Sequence, residues 1–246
     1  MESELRTLVL FLCIALAAAL YSAVGQGGGS GYLAVLALFG MAPETMRPAA
    51  LSMNLAVSSI VWWRLYRAGH FRRDLFFAFA ITSVPMAFVG GALKLHAFWY
   101  NFLVGTALLI AAVRLFVSTT EVRAERKAQR IPAMFYGAGL GLVSGITGVG
   151  GGIFLSPLLL FLGWCTLREN FALAAAFIWV NSLAAILGYI WSAQSWPQGI
   201  SGMVAAALCG TFVSLFWSEG IAKPVTLQRV LGGVLLIAAA KLVLSW

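Results

Sequence analysis

Hydrophobic residues run along this chain in long unbroken blocks separated by short polar stretches, with no alternating pattern. The blocks fall at 5–24, 48–66, 75–93, 98–117, 132–147, 171–191, 199–217 and 225–245. At a helical rise of 1.5 Å per residue, about twenty residues cover the ~30 Å hydrocarbon core of a bilayer. The pattern therefore predicts an all-α polytopic membrane protein with about eight transmembrane helices. Two shorter apolar stretches, about 32–40 and 153–163, each reach only ~15 Å as helix, half of that core. They read as half-helices. Pro85, inside the third block, predicts a kink there.

Each half-helix follows a glycine run: Gly25-Gln26-Gly27-Gly28-Gly29-Ser30-Gly31 and Gly148-Val149-Gly150-Gly151-Gly152. A helix interior does not tolerate such runs, since each glycine costs about 1 kcal/mol relative to alanine. In lipid, a broken backbone survives only where protein or a water-filled cavity satisfies its polar groups. Two breaks in corresponding places are the sequence mark of a transporter's binding site. The alternative is close helix packing through small residues. Four glycines in five residues, seen twice, favour the broken helix.

The two runs belong to an internal repeat. Gly27–Gly29 aligns with Gly150–Gly152, Gly40 with Gly163, and Asn54 with Asn181. The segment 105–116 aligns with 232–243, with seven of twelve positions identical. These matches divide the chain into a first repeat (1–118), a basic cytoplasmic linker (119–131) and a second repeat (132–246), each repeat with four spans plus a half-helix. Orientation forks at this point. If each glycine run and half-helix is re-entrant, the halves are parallel. If the unit crosses the membrane, they are inverted.

Composition narrows the class. The chain is 61% hydrophobic and only 10% charged, against about 25% charged in soluble domains. A net charge of +8 does not point to nucleic acid. Half of the sixteen basic residues lie in Arg64–Arg73 and Arg123–Arg130, and basic clusters beside spans mark cytoplasmic loops. The start of the chain carries Glu2 and Glu4 against Arg6, the wrong charge for a signal peptide, so 5–24 is expected to be a retained first span. Trp62, Trp63, Tyr66, Trp99, Tyr100, Trp191, Trp196, Trp217 and Trp246 lie at predicted span ends as interface anchors. Cys13, Cys165 and Cys209 are far apart in apolar context, and read as buried inert thiols.

Candidate chemistry is sparse. The eight acidic residues sit at predicted loops or span ends, and His70 and His96 have no metal-ligand spacing. No catalytic constellation, metal site or cofactor is expected, and the chain is not read as an enzyme. The glycine runs do have a chemical use. A glycine turn leading into a helix leaves backbone N–H groups unpaired, and the helix dipole adds positive potential there. The expected substrate-binding set is Gln26, Gly27, Gly28, Gly29, Ser30 and Asn54 from the first half. Thr147, Gly150, Gly151, Gly152, Asn181 and Ser182 complete it from the second. Arg47 and Arg168, each a few residues past a half-helix and close to Glu44 and Glu169, are charged contributors or members of surface ion pairs. The basic pair Arg114 and Lys241, aligned by the repeat, reads as side chains reaching the interface.

In the second half, Gly145-Ile-Thr-Gly-Val-Gly-Gly-Gly-Ile-Phe-Leu-Ser-Pro157 and Asn181-Ser182-Leu183, with the basic segment Arg64–Asp74 of the first, resemble the TauE/SafE family of membrane permeases. The likeness covers nearly the whole chain. It departs at Gln26, Ser30 and Gly31, where apolar residues are usual for the family. The resemblance implies about eight spans in two repeats, and transport of small sulfur-containing anions such as sulfite or organosulfonates. The expected protein is thus a multi-pass transporter of the inner membrane. Its partners are a small anionic substrate and the lipid bilayer, an oligomer is compatible with the sequence, and nucleic acid is excluded. A channel or cation-coupled permease for another small solute is the alternative, because unwound carbonyls bind Na⁺ as readily as N–H groups bind anions.

Overall fold

A computed structural model describes residues 2–23, 25, 27–116, 128–217 and 224–244. Ten helices form among the described residues: α1 (Glu2–Ala23), α2 (Gly29–Leu38), α3 (Pro43–Arg67), α4 (Arg73–Ala92), α5 (Ala97–Phe116), α6 (Arg130–Thr147), α7 (Gly152–Leu162), α8 (Leu167–Trp191), α9 (Ile200–Trp217) and α10 (Pro224–Leu244). Their bounds follow the hydrophobic blocks to within a few residues, and α2 and α7 are the two half-helices. Three helices, at Glu4–Ala23, Arg73–Ala92 and Leu167–Trp191, are long and apolar enough to cross a membrane by length and composition. Gln26 and most of the expected linker lie outside the described residues.

Cross-helix contacts give the directions. Arg6 of α1 donates to Phe39 O just past α2, and Lys241 near the end of α10 donates to Leu38 O. The start of α1 and the ends of α2 and α10 therefore share one face of the bundle, and α3 begins there. Tyr189 near the end of α8 donates to Glu44 O, so α8 ends at that first face. At the second face, Arg72 ahead of α4 donates to Trp164 O ahead of α8.

Helix pairs pack through small residues. A Cβ on Gly137, Gly141 or Gly145 of α6 would lie 2.5 Å or less from Phe79 O, Ser83 O and Ala87 O of α4 respectively. This Gly-xxx-Gly-xxx-Gly stripe lets two parallel helices approach backbone to backbone. A Cβ on Gly210 of α9 would lie 1.9 Å from Ala15 O of α1, and Ser22 and Thr211 share a hydrogen bond of 3.2 Å. That pair too is parallel. In contrast α5 and α10 are antiparallel, with Gly105 against Val243 and Gly232 against Phe116. It follows that α1 starts at the first face and α6 at the second.

Two local expectations change. Tyr100 is not an interface anchor: it is buried and donates to Thr147 O at 3.2 Å. Trp63, Trp99, Trp191 and Trp196 are exposed as expected of anchors. Cys165 is buried, and burial pushes its thiol pKa up to about 12. Cys209 is exposed instead, because it lies on the outward side of α9.

Candidate functional site

Both half-helices begin without a side-chain cap. Their N-cap residues, Gly28 (φ 83°) and Gly151 (φ 77°), have left-handed backbone that a side chain would strain. The first intrahelical bond of α2 runs from Tyr32 N to Gly28 O. The N–H groups of Gly29, Ser30 and Gly31 precede it, and helix geometry gives them no acceptor within α2. In α7 the first bonds are accepted by Gly151 O, so the N–H of Gly152 likewise precedes them.

The two glycine turns meet. A Cβ on Gly29 would lie 2.1 Å from Val149 O, backbone against backbone. Asn54 of α3 stands beside both, donating from Nδ2 to Gly148 O at 3.1 Å. Ile178 of α8 packs on the crossing: a Cβ on Gly27, Gly150 or Gly152 would lie 3.0, 2.8 or 2.5 Å from its side chain. From this point α2 runs to the first face and α7 toward the second, so two positive helix ends share one buried centre.

The polar side chains at the centre divide into engaged and unengaged groups. Ser30 shares a 2.8 Å hydrogen bond with Tyr21. Thr147 donates to Val143 O and accepts from Val149 N, so its hydroxyl closes its own helix end. Asn181 donates from Nδ2 to Phe177 O one turn back on α8. Buried and without a hydrogen-bond partner among the described residues are Asn54 Oδ1, Asn181 Oδ1, Ser182 Oγ, Ser144 Oγ and the Tyr32 hydroxyl. The buried polar residues described include no Asp or Glu. No group of three His, Cys, Asp or Glu able to hold a metal occurs among the described residues.

The expectations for the arginines are corrected in different ways. Arg47 is 4% exposed, so it is a buried group and not one half of a surface ion pair among the described residues. Its guanidinium donates to Gly145 O at the end of α6, to Gly90 O and Gly91 O near the end of α4, and to Leu93 O just beyond it. These are carbonyls that helix ends leave unpaired, and the Tyr189 ring lies 5.7 Å away. Four of its five N–H groups are thus spent on scaffold carbonyls. Arg168 is exposed at the second face, in the first turn of α8. Its neighbour Glu169 is committed to a capping box with Thr166, so neither reaches the glycine crossing. The described ion pair is Arg72 with Asp74, at 2.8 Å.

The residues missed in the sequence are Ile178, Tyr21 and Tyr32. Ile178 lies three positions before Asn181, on the same side of α8. Tyr32 lies four residues after the N-cap Gly28, the spacing at which a helical side chain folds back over its own first turn. A separate groove of about 450 Å³, lined by Trp62, Trp63, Tyr66, Phe71, Arg73 and Phe76 among others, opens toward the second face and touches none of the glycine-run residues.

Comparison with known proteins places this architecture. Residues 10–242 match the family described as Sulfite exporter TauE/SafE. The chain is 32% identical over 241 residues to the probable membrane transporter protein y4hK of Sinorhizobium fredii, covering 95% of this chain and 96% of that protein. No solved structure matches it.

Proposed function

Because the chain belongs to the TauE/SafE sulfite exporter family, we propose that it carries small anions, sulfite or organosulfonates, across the inner membrane. One observation carries this reading: the uncapped N-termini of α2 and α7 meet at a buried centre whose described polar residues include no carboxylate. Backbone N–H groups and two converging dipoles favour an anion there, and the low-dielectric surroundings strengthen the attraction.

Alternating access follows from an inverted duplication of 1–118 and 132–246. Matching α1 with α6, α3 with α8, α4 with α9 and α5 with α10 makes the α1–α9 and α4–α6 contacts equivalent. The same matching makes α3–α8 and α5–α10 contacts between counterparts. Parallel packing in both equivalent pairs supports it, as do the opposite starting faces of α1 and α6. Ile178 and the glycine turns close the centre, and rocking of one half against the other would open it to each face in turn.

Uptake of radiolabelled sulfite into proteoliposomes tests the reading. Saturable uptake by the parent, lost in Gly28→Leu and Gly151→Leu variants that still fold, is the expected result. Uptake no faster than in empty vesicles overturns it. A cation-coupled permease is favoured by a different observation, the unpartnered acceptors Asn54 Oδ1 at the crossing and Asn181 Oδ1 three residues past Ile178 on α8. That reading requires uptake to depend on a Na⁺ gradient.

A further inference from the structure

The two turns are not equivalent as ligand sites. In the first, Tyr32 is 0% exposed, and its hydroxyl has no hydrogen-bond partner among the described residues. A Cβ placed on the N-cap Gly28 would lie 2.7 Å from that hydroxyl oxygen. The phenol therefore folds back from the second turn of α2 onto Gly28, the N-cap of the same uncapped helix end. Aligning Gly27–Gly29 with Gly150–Gly152 puts Leu155 opposite Tyr32 and Ile153 opposite Ser30. The second turn carries hydrocarbon where the first carries hydroxyls. A buried phenol with no partner is costly unless a ligand completes it.

We propose that the anion sits at the N-terminus of α2 rather than midway between the two turns, and that the Tyr32 hydroxyl is one of its ligands. The inference rests on the anion-transport reading above and specifies its geometry. A phenol donating one hydrogen bond, beside peptide N–H groups that also only donate, recognises an acceptor-only oxygen. The ligand class is an oxyanion presenting at least one bare oxygen, as sulfite and the sulfonate group both do. The α7 end, with Ile153 and Leu155 at the aligned positions, has no phenol and helps chiefly through its dipole, with the Ser144 hydroxyl packed beside Gly151.

The test compares two variants that each delete one buried, unpartnered hydroxyl: Tyr32→Phe at the first turn, and Ser156→Ala within α7. Both are reconstituted in proteoliposomes and assayed with radiolabelled sulfite, and their melting temperatures in detergent are recorded. Losing a hydrogen bond to a charged group weakens apparent affinity by about tenfold or more. The expected result is that rise in KM for Tyr32→Phe with unchanged melting temperature, and parental kinetics for Ser156→Ala. Parental kinetics for Tyr32→Phe overturns the inference while leaving anion transport standing. Equal losses in both variants overturn it too, since they mark a packing effect. Absence of sulfite uptake by the parent overturns both this inference and the reading beneath it.

Discussion

The turn before α2 and the turn before α7 are built from the same glycine pattern but spend their polar groups differently. Around the second turn several polar groups are consumed by protein, although the Ser144 hydroxyl beside Gly151 is not. Gly148 O accepts from Asn54, the Thr147 hydroxyl takes the Val149 N–H, and Tyr100 caps Thr147 O. Arg47 ties the end of α6 to the end of α4. Around the first turn, Phe171 packs on Gly25, Tyr21 meets Ser30, and the Tyr32 hydroxyl stays open. The same glycine pattern is thus tied into protein hydrogen bonds on one side and leaves the Tyr32 hydroxyl unpartnered on the other. Glycine supplies the backbone shape in both. The side chains around it decide which turn is left open to a ligand.

The largest effect should come from the scaffold side. Arg47→Leu strands the carbonyls of Gly145, Gly90, Gly91 and Leu93, at about 1–3 kcal/mol for each left buried without a partner. Size-exclusion chromatography in detergent should show little or no folded protein. A well-folded Arg47→Leu with parental melting temperature would break the contrast between the turns.

Gly29→Ala comes next. Its Cβ would meet Val149 O at 2.1 Å, where backbone faces backbone and neither side can yield cheaply. Overpacking of this kind costs about 1–3 kcal/mol, and a displaced α2 N-terminus should lose most sulfite uptake. Gly139→Ala on the open side of α6, with nothing within 4 Å, should melt at or above the parental temperature, because alanine favours helix.

The two asparagines sharpen the comparison further. Asn54→Ala removes a bond that joins α3 to the second turn and leaves Gly148 O without it, so a loss of about 1–3 kcal/mol is expected. Asn181→Ala removes only a bond to its own helix at Phe177 O, and should cost about half as much or less. Thermal melting in detergent ranks them. The reverse order would mean that the turns share the load equally. Smallest of all is Arg168→Ala at the exposed second face, which should stay within about 0.5 kcal/mol of the parent and transport sulfite normally.

Much of the architecture was legible in the chain because bilayer thickness fixes helix length, and the blocks 75–93 and 171–191 carry that length openly. The glycine breaks were legible for a similar reason: Gly27–Gly29 and Gly150–Gly152 cannot continue a helix in lipid. Side-chain partnerships were not. Arg47 sits a few residues past a half-helix and near Glu44, which in sequence resembles a span-end ion pair. Its acceptors lie 43 to 98 residues away, brought close only by the α4–α6 packing. Tyr32 shows the opposite case. Its distance from Gly28 is local and was readable, but the apolar run around it disguised a hydroxyl aimed at a helix end. Asn54 and Asn181, alike in the alignment, differ in partner: Asn54 reaches Gly148 O of the other half, Asn181 reaches Phe177 O of its own helix.

We propose one oxyanion site, at the α2 side of the glycine crossing. The position of selenite, a heavier analogue of sulfite, located by anomalous scattering in crystals of the parent protein, tests it. A selenium peak is expected at the α2 N-terminus, beside Gly28, Gly29 and Tyr32. Selenium found only against the exposed arginines of the Arg64–Arg73 segment, with the crossing empty, would contradict it.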